Sequence, residues 1–155
     1  MNFEERANII LKDSIKSAIY IDDKAKSFYQ SDSIAANVLE EELSQNLYSN
    51  FKENGISLEV YKFENGIENN ANELSFITDN RDFVILDWKL QGNNGELLSL
   101  NILEKIIGAH HINFCSIYTS DDDLDEILQN IISFFSNQTK EYYEGIKQDE
   151  RGSER

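Results

Sequence analysis

Asp22, Asp23 and Asp87 are the residues whose types and positions suggest chemistry. Each stands where an apolar run stops: Ser17-Ala18-Ile19-Tyr20-Ile21 gives way to Asp22-Asp23, and Phe83-Val84-Ile85-Leu86 gives way to Asp87. After Asp87 the chain turns polar and Gly-containing, through Trp88-Lys89-Leu90-Gln91-Gly92-Asn93-Asn94-Gly95. An apolar run cut off by a carboxylate and such a turn reads as a buried strand presenting an acid at its carboxyl end. In open α/β sheets that edge is where ligands bind. Two neighbouring parallel strands that end this way bring three carboxylates together. Such a cluster repels itself unless a cation neutralises it, and hard, oxygen-seeking Mg²⁺ is the natural choice.

The rest of the chain must supply the strands and the helices between them. Phe3, Ala7, Ile10, Leu11 and Ile15 form an apolar stripe, which predicts an amphipathic helix before the first strand at 17–21. Asp32 or Ser33 can cap a helix to about Phe51, with Ile34, Ala35, Val38, Leu39, Leu43, Leu47 and Phe51 on one face and Asn54-Gly55 closing it. Ile56 to Phe63 alternates as a strand near the sheet edge does. A weak helix around Asn72 to Ile77 precedes the strand at 83–86. Gly95 opens a well-patterned helix through Leu97, Leu98, Leu100, Ile102, Leu103, Ile106 and Ile107, stopped by Gly108. A further strand is expected near 113–118, then a helix at about 122–136 behind Asp121-Asp122-Asp123. A short helix from Thr139 to about Ile146 and a charged, disordered tail at 148–155 complete the expected chain. Alternating helix and strand signals predict an α/β protein with a parallel sheet and crossover helices.

This constellation resembles the receiver domain of two-component response regulators. That family carries an acidic pair after its first strand, matched by Asp22-Asp23, and a phosphate-accepting Asp after its third, matched by Asp87. Leu90, Gly92 and Gly95 fall where its next loop carries a Leu and two Gly, and Thr119, after Phe114-Cys115-Ser116-Ile117-Tyr118, falls at its Thr or Ser. The resemblance covers roughly Ser17 to Ser120. It implies a flavodoxin-like (CheY-like) doubly wound parallel sheet, ordered 2-1-3-4, with a fifth strand that the periodicity does not show. The helix before the core and the C-terminal helical segment are additions. A single receiver-like domain is expected over 1–147, with its N-terminal helix in 1–16, its core in 17–120 and C-terminal helices in 121–147.

The resemblance also implies roles. Asp87 would accept a phosphoryl group from a partner histidine kinase or phosphotransfer protein. Mg²⁺ would be held by Asp23, Asp87 and the backbone carbonyl of Lys89, with Asp22 acting directly or through water. Thr119 would hydrogen-bond the bound phosphoryl group and pass the change to a downstream protein or a further domain. The chain would thus be a phosphoacceptor rather than an enzyme. A receiver also uses a Lys after its fifth strand. No Lys lies between Thr119 and Lys140, and Lys140 serves only if Ser133 to Thr139 is a strand. The competing reading is a pseudo-receiver, an interaction adaptor that keeps the fold without regulated phosphorylation. Phosphatases and phosphotransferases with an aspartyl-phosphate intermediate typically carry a second Asp two residues after the nucleophile, where this chain has Lys89.

Composition narrows the surroundings. The 155 residues give room for one domain with an adequate core. A formal net charge of −15 and the lack of a basic patch argue against nucleic acid as a partner. No helix-turn-helix segment is present to read DNA. No apolar run approaches the ~20 residues needed to span a bilayer, and Met1-Asn2-Phe3-Glu4-Glu5-Arg6 lacks the order of a signal peptide. The single cysteine, Cys115, reads as a buried small hydrophobe, and a reducing cytoplasm is the expected compartment. His110 and His111 are adjacent and point to opposite faces of an extended segment, so with Cys115 they make a poor metal site.

Overall fold

The structure, a computed structural model, describes residues 2–26, 38–92, 95–109 and 113–136. Its elements run α1 (Phe3–Ser14), β1 (Ser17–Asp22), α2 (Val38–Glu53), β2 (Ser57–Lys62), a 3₁₀ turn (Ile67–Asn69), α3 (Ala71–Thr78), β3 (Phe83–Asp87), α4 (Gly95–Ile107), β4 (Phe114–Tyr118) and α5 (Leu124–Ser136). The four strands form one sheet ordered β2-β1-β3-β4, and every pair is parallel. The architecture is the expected flavodoxin-like one. Contacts divide the chain into two compact units, Met1–Thr119 and Ser120–Arg155; the whole sheet lies in the first.

The register follows from burial. Ala18 stands opposite Phe83 and Ile21 opposite Leu86 in the β1–β3 pair, while Tyr20 lies opposite Val60 of β2. Strand side chains alternate between faces, so Ala18, Tyr20, Leu58, Val60 and Ile85 share one side. There they form a core with Ala25, against which Leu47, Tyr48 and Phe51 of α2 pack. On the opposite side Ile19, Ile21, Val84 and Leu86 are completely buried. The apolar residues available to cover them are Leu74 and Ile77 of α3 and Leu100, Ile102, Leu103 and Ile106 of α4, all buried. Strands β1 and β3 are therefore apolar from Ala18 to Ile21 and from Phe83 to Leu86, up to the acids that end them, because both of their faces are covered.

Local signals set the ends of the elements. Asn2 and Glu5 cap α1 reciprocally, each side chain accepting from the other's backbone N–H at 2.8–2.9 Å. Phe3 is nonetheless almost fully exposed, so the predicted apolar stripe does not bury its first member. Helix α2 ends at Gly55, whose φ of 74° lets the Ile56 N–H return to the Phe51 carbonyl at 2.9 Å. The Asp32 or Ser33 cap proposed for it lies outside the described residues. Asn70 caps α3 through Glu73 N–H, and Asp123 caps α5 through Glu126 N–H.

One expectation is corrected. Cys115 is exposed rather than buried, because β4 is the edge of the described sheet and Phe114, Cys115, Ser116 and Tyr118 all keep open surface. Crowding by neighbouring atoms still pushes its thiol up to about 11. The helix expected at about 122–136 is α5, and because Ser133 to Ser136 form its last turn, no strand begins at Ser133. Lys140, the expected helix 139–146, the tail 148–155 and the pair His110-His111 lie outside the described residues.

Candidate functional site

Two parallel strands ending at the same level build the site. Because Ile21 is level with Leu86, the next residue of each strand, Asp22 and Asp87, emerges beside the other at the carboxyl edge. Asp23 follows in a turn closed by Ala25 N–H on the Asp22 carbonyl at 3.3 Å, and that carbonyl also accepts Phe63 N–H at 3.0 Å. The result is that Asp22, Asp23 and Asp87 each offer a carboxylate oxygen within 4.8 Å of the others.

The three acids differ in their surroundings. Asp22 is buried at 7% exposure; one oxygen accepts the Lys24 backbone N–H at 2.6 Å and the other accepts the Tyr20 hydroxyl. Asp23 has a buried oxygen, Oδ1, with no hydrogen-bond partner. Among the described residues, the Asp87 side chain accepts one long backbone contact, from Lys89 N–H at 3.4 Å. Burial pushes the Asp87 carboxyl up to about 6, reinforced by the negative charge of Asp22 and then of Asp23. The Lys89 N–H and the positive charge of Lys24 pull the other way.

The backbone under Asp87 is held by α4. Ser99, completely buried, donates its hydroxyl to the Asp87 carbonyl at 2.7 Å. Gly95, at the start of α4, packs so closely on the loop that a Cβ there would lie 2.1 Å from the Leu90 carbonyl oxygen. Gly95 N–H in turn donates to the Gly92 carbonyl at 2.9 Å. Trp88 is buried, with its backbone N–H on the Tyr118 carbonyl at 2.8 Å, which carries the β3–β4 pairing one residue past Asp87. Thr119 therefore leaves β4 directly after Tyr118, the partner of Asp87 in the register. The Lys89 carbonyl accepts Gly92 N–H at 3.3 Å, a bond that takes one of a carbonyl's two lone pairs.

These residues suit Mg²⁺. The donors are hard oxygens, the cluster carries up to three negative charges, and the Asp23 oxygen is buried with nothing to satisfy it. Sequence reasoning found the three acids but missed Tyr20, Lys24 and Ser99. Tyr20 was legible in one respect: two residues before Asp22 in a strand, it must face the same way.

A parallel 2-1-3-4 sheet with acids gathered at its carboxyl edge defines a flavodoxin-like α/β protein with its candidate site at the switch between β1 and β3. Comparison with protein families matches residues 14–155 to the response receiver domain. The chain belongs to that family. Comparison with curated proteins and with solved structures gives no significant match.

Proposed function

We propose that this protein is a signalling receiver that accepts a phosphoryl group on Asp87 from a partner histidine kinase or phosphotransfer protein, in a Mg²⁺-dependent reaction in the cytoplasm. The observation that carries this reading is the convergence of Asp22, Asp23 and Asp87 within 4.8 Å at the carboxyl edge. Residues 1–147 serve as one receiver domain, in keeping with a family match that runs through both compact units. Output passes through protein contacts, and nucleic acid is opposed by the net charge of −15. No helix among the described residues is long and apolar enough to cross a membrane.

The chemistry asks mainly for position and countercharge, because phosphoryl transfer passes through a loose, charge-rich transition state. An Asp87 carboxylate oxygen forms the new bond to phosphorus while the phosphorus–nitrogen bond of the donor breaks, its electron pair returning to the imidazole. With its carboxyl pushed up to about 6, Asp87 is ionised at neutral pH and more basic than an ordinary aspartate. Asp23, Asp87 and the Lys89 carbonyl would hold Mg²⁺, with Asp22 beside them; when bound, the ion supplies countercharge to the phosphoryl oxygens. Ser99 and Gly95 fix the backbone from which Asp87 projects. Thr119, one residue beyond the β4 partner of Asp87, is the hydroxyl that holds the transferred group. The protein is thus a phosphoacceptor, and any turnover is that of its own aspartyl phosphate.

The second reading is the pseudo-receiver. It draws support from the absence of any Lys between Thr119 and Lys140 and from the helical state of Ser133 to Ser136. Trp88 fluorescence separates the two, since the indole is buried next to Asp87. Titration with Mg²⁺ and then with beryllofluoride, a phosphoryl mimic, should give two saturable changes that Asp87→Asn abolishes. A Mg²⁺ response with none to beryllofluoride, by fluorescence and by calorimetry, decides for the pseudo-receiver.

A further inference from the structure

Tyr20 places a phenol where the core needs only a ring. Its side chain is 1% exposed and packs in the cluster of Ala18, Leu58, Val60 and Ile85, a setting that a Phe would fill equally well. A hydroxyl buried there is costly unless it finds a partner, and its partner is a carboxylate of the acidic cluster, Asp22. The Asp22 carboxylate is thereby gripped from both sides, by the Lys24 backbone N–H at 2.6 Å on one oxygen and by Tyr20 on the other. Asp23, its neighbour, keeps a buried oxygen without a partner. The acidic pair is therefore unequal: one member is locked in orientation and the other presents an open oxygen. Tyr118 braces the arrangement, its ring meeting the Tyr20 ring edge-on at 6.3 Å and 84°.

We propose that Tyr20 is a positioning residue of the cation site, holding Asp22 in the orientation that receives the ion. This rests on the reading of Asp22, Asp23 and Asp87 as a Mg²⁺ site. Partners that orient the ligands of a metal site are typically worth about 10–100-fold in affinity. The hydrogen bond also spreads the Asp22 charge before any cation arrives, which lessens the mutual repulsion of the three acids.

The test is calorimetric titration of the full chain with MgCl₂, in wild type, Tyr20→Phe, Asp22→Asn, the double variant of these two and Asp23→Asn, each also unfolded in urea with chelator present. Tyr20→Phe is expected to raise the Mg²⁺ Kd at least about tenfold. In the Asp22→Asn background the same change should have no further effect, because the phenol acts through that carboxylate. A purely structural Tyr20 would lower stability in chelator and leave the Kd within about twofold, which overturns the proposal and leaves the metal site standing. A loss that persists undiminished in the Asp22→Asn background overturns it too. A wild type without Mg²⁺ binding sensitive to Asp23→Asn overturns the metal-site reading and this proposal together. Tyr118→Leu, at a 43% exposed position, is the second variant if Tyr20→Phe fails to fold. It removes the brace and should weaken Mg²⁺ binding in the same direction; an unchanged Kd there would equally count against Tyr20.

Discussion

Asp87 sits where its own charge is least welcome. Its carboxyl is pushed from 3.8 up to about 6 by burial and by two neighbouring acids, so the folded protein holds that proton more tightly than the unfolded chain does. The stability associated with the protonated acid is present below pH 3.8 and is lost as pH rises through about 6. Above that, the ionised group opposes folding. Asp87→Asn, neutral at every pH, should flatten this part of the pH–stability curve. At pH 7.5 without Mg²⁺ it should be more stable than wild type by about 1–2 kcal/mol, after allowance for solvent screening of a partly exposed group. Urea unfolding at several pH values checks this, and a variant no more stable than wild type would refute it.

Helix α4 shows how an element serves a site that it does not line. Gly95→Ala would drive a methyl group into the Leu90 carbonyl, 2.1 Å away. Backbone cannot yield as a flexible side chain does, and a loss of about 2–3 kcal/mol is expected in urea unfolding. Ser99→Ala removes the hydroxyl that donates to the Asp87 carbonyl and should cost about 1–3 kcal/mol. Because that carbonyl belongs to the proposed acceptor residue, Ser99→Ala should also slow phosphorylation at saturating Mg²⁺; an unchanged rate would confine Ser99 to stability. The elements themselves were legible because apolar runs and caps are local. Val84 to Leu86 announced β3, Leu100 to Ile106 announced α4, and the acids closing β1 and β3 announced the pocket. What stayed hidden depends on neighbours distant in sequence. Cys115 looks like core in its apolar run but belongs to the edge strand of the described sheet. The Ser99 hydroxyl reads as one polar residue in a leucine-rich helix until β3 lies beneath it, and the Gly95 contact needs the Leu90 loop folded back against α4.

For the molecule as a whole, a net charge of −15 means that almost any salt will raise its stability by screening self-repulsion. A Mg²⁺ effect therefore carries information only when separated from ionic strength. The three acids make the separation possible, since oxygens within 4.8 Å of one another are closer than the Debye length of ~10 Å at 0.1 M salt. Dispersed sodium ions screen such a pocket poorly, whereas one divalent ion bound within it neutralises it. At matched ionic strength MgCl₂ should stabilise the protein beyond NaCl, by about 2.7 kcal/mol at a hundred times its Kd. Asp23→Asn, which converts the unpartnered carboxylate oxygen into part of a neutral amide, should erase that excess and keep the NaCl response. Equal gains from both salts in the wild type would mean that the acidic edge is only one more part of a strongly negative surface. A Mg²⁺ excess that survives Asp23→Asn would move the ion to other acids of the chain and leave Asp87 without its countercharge.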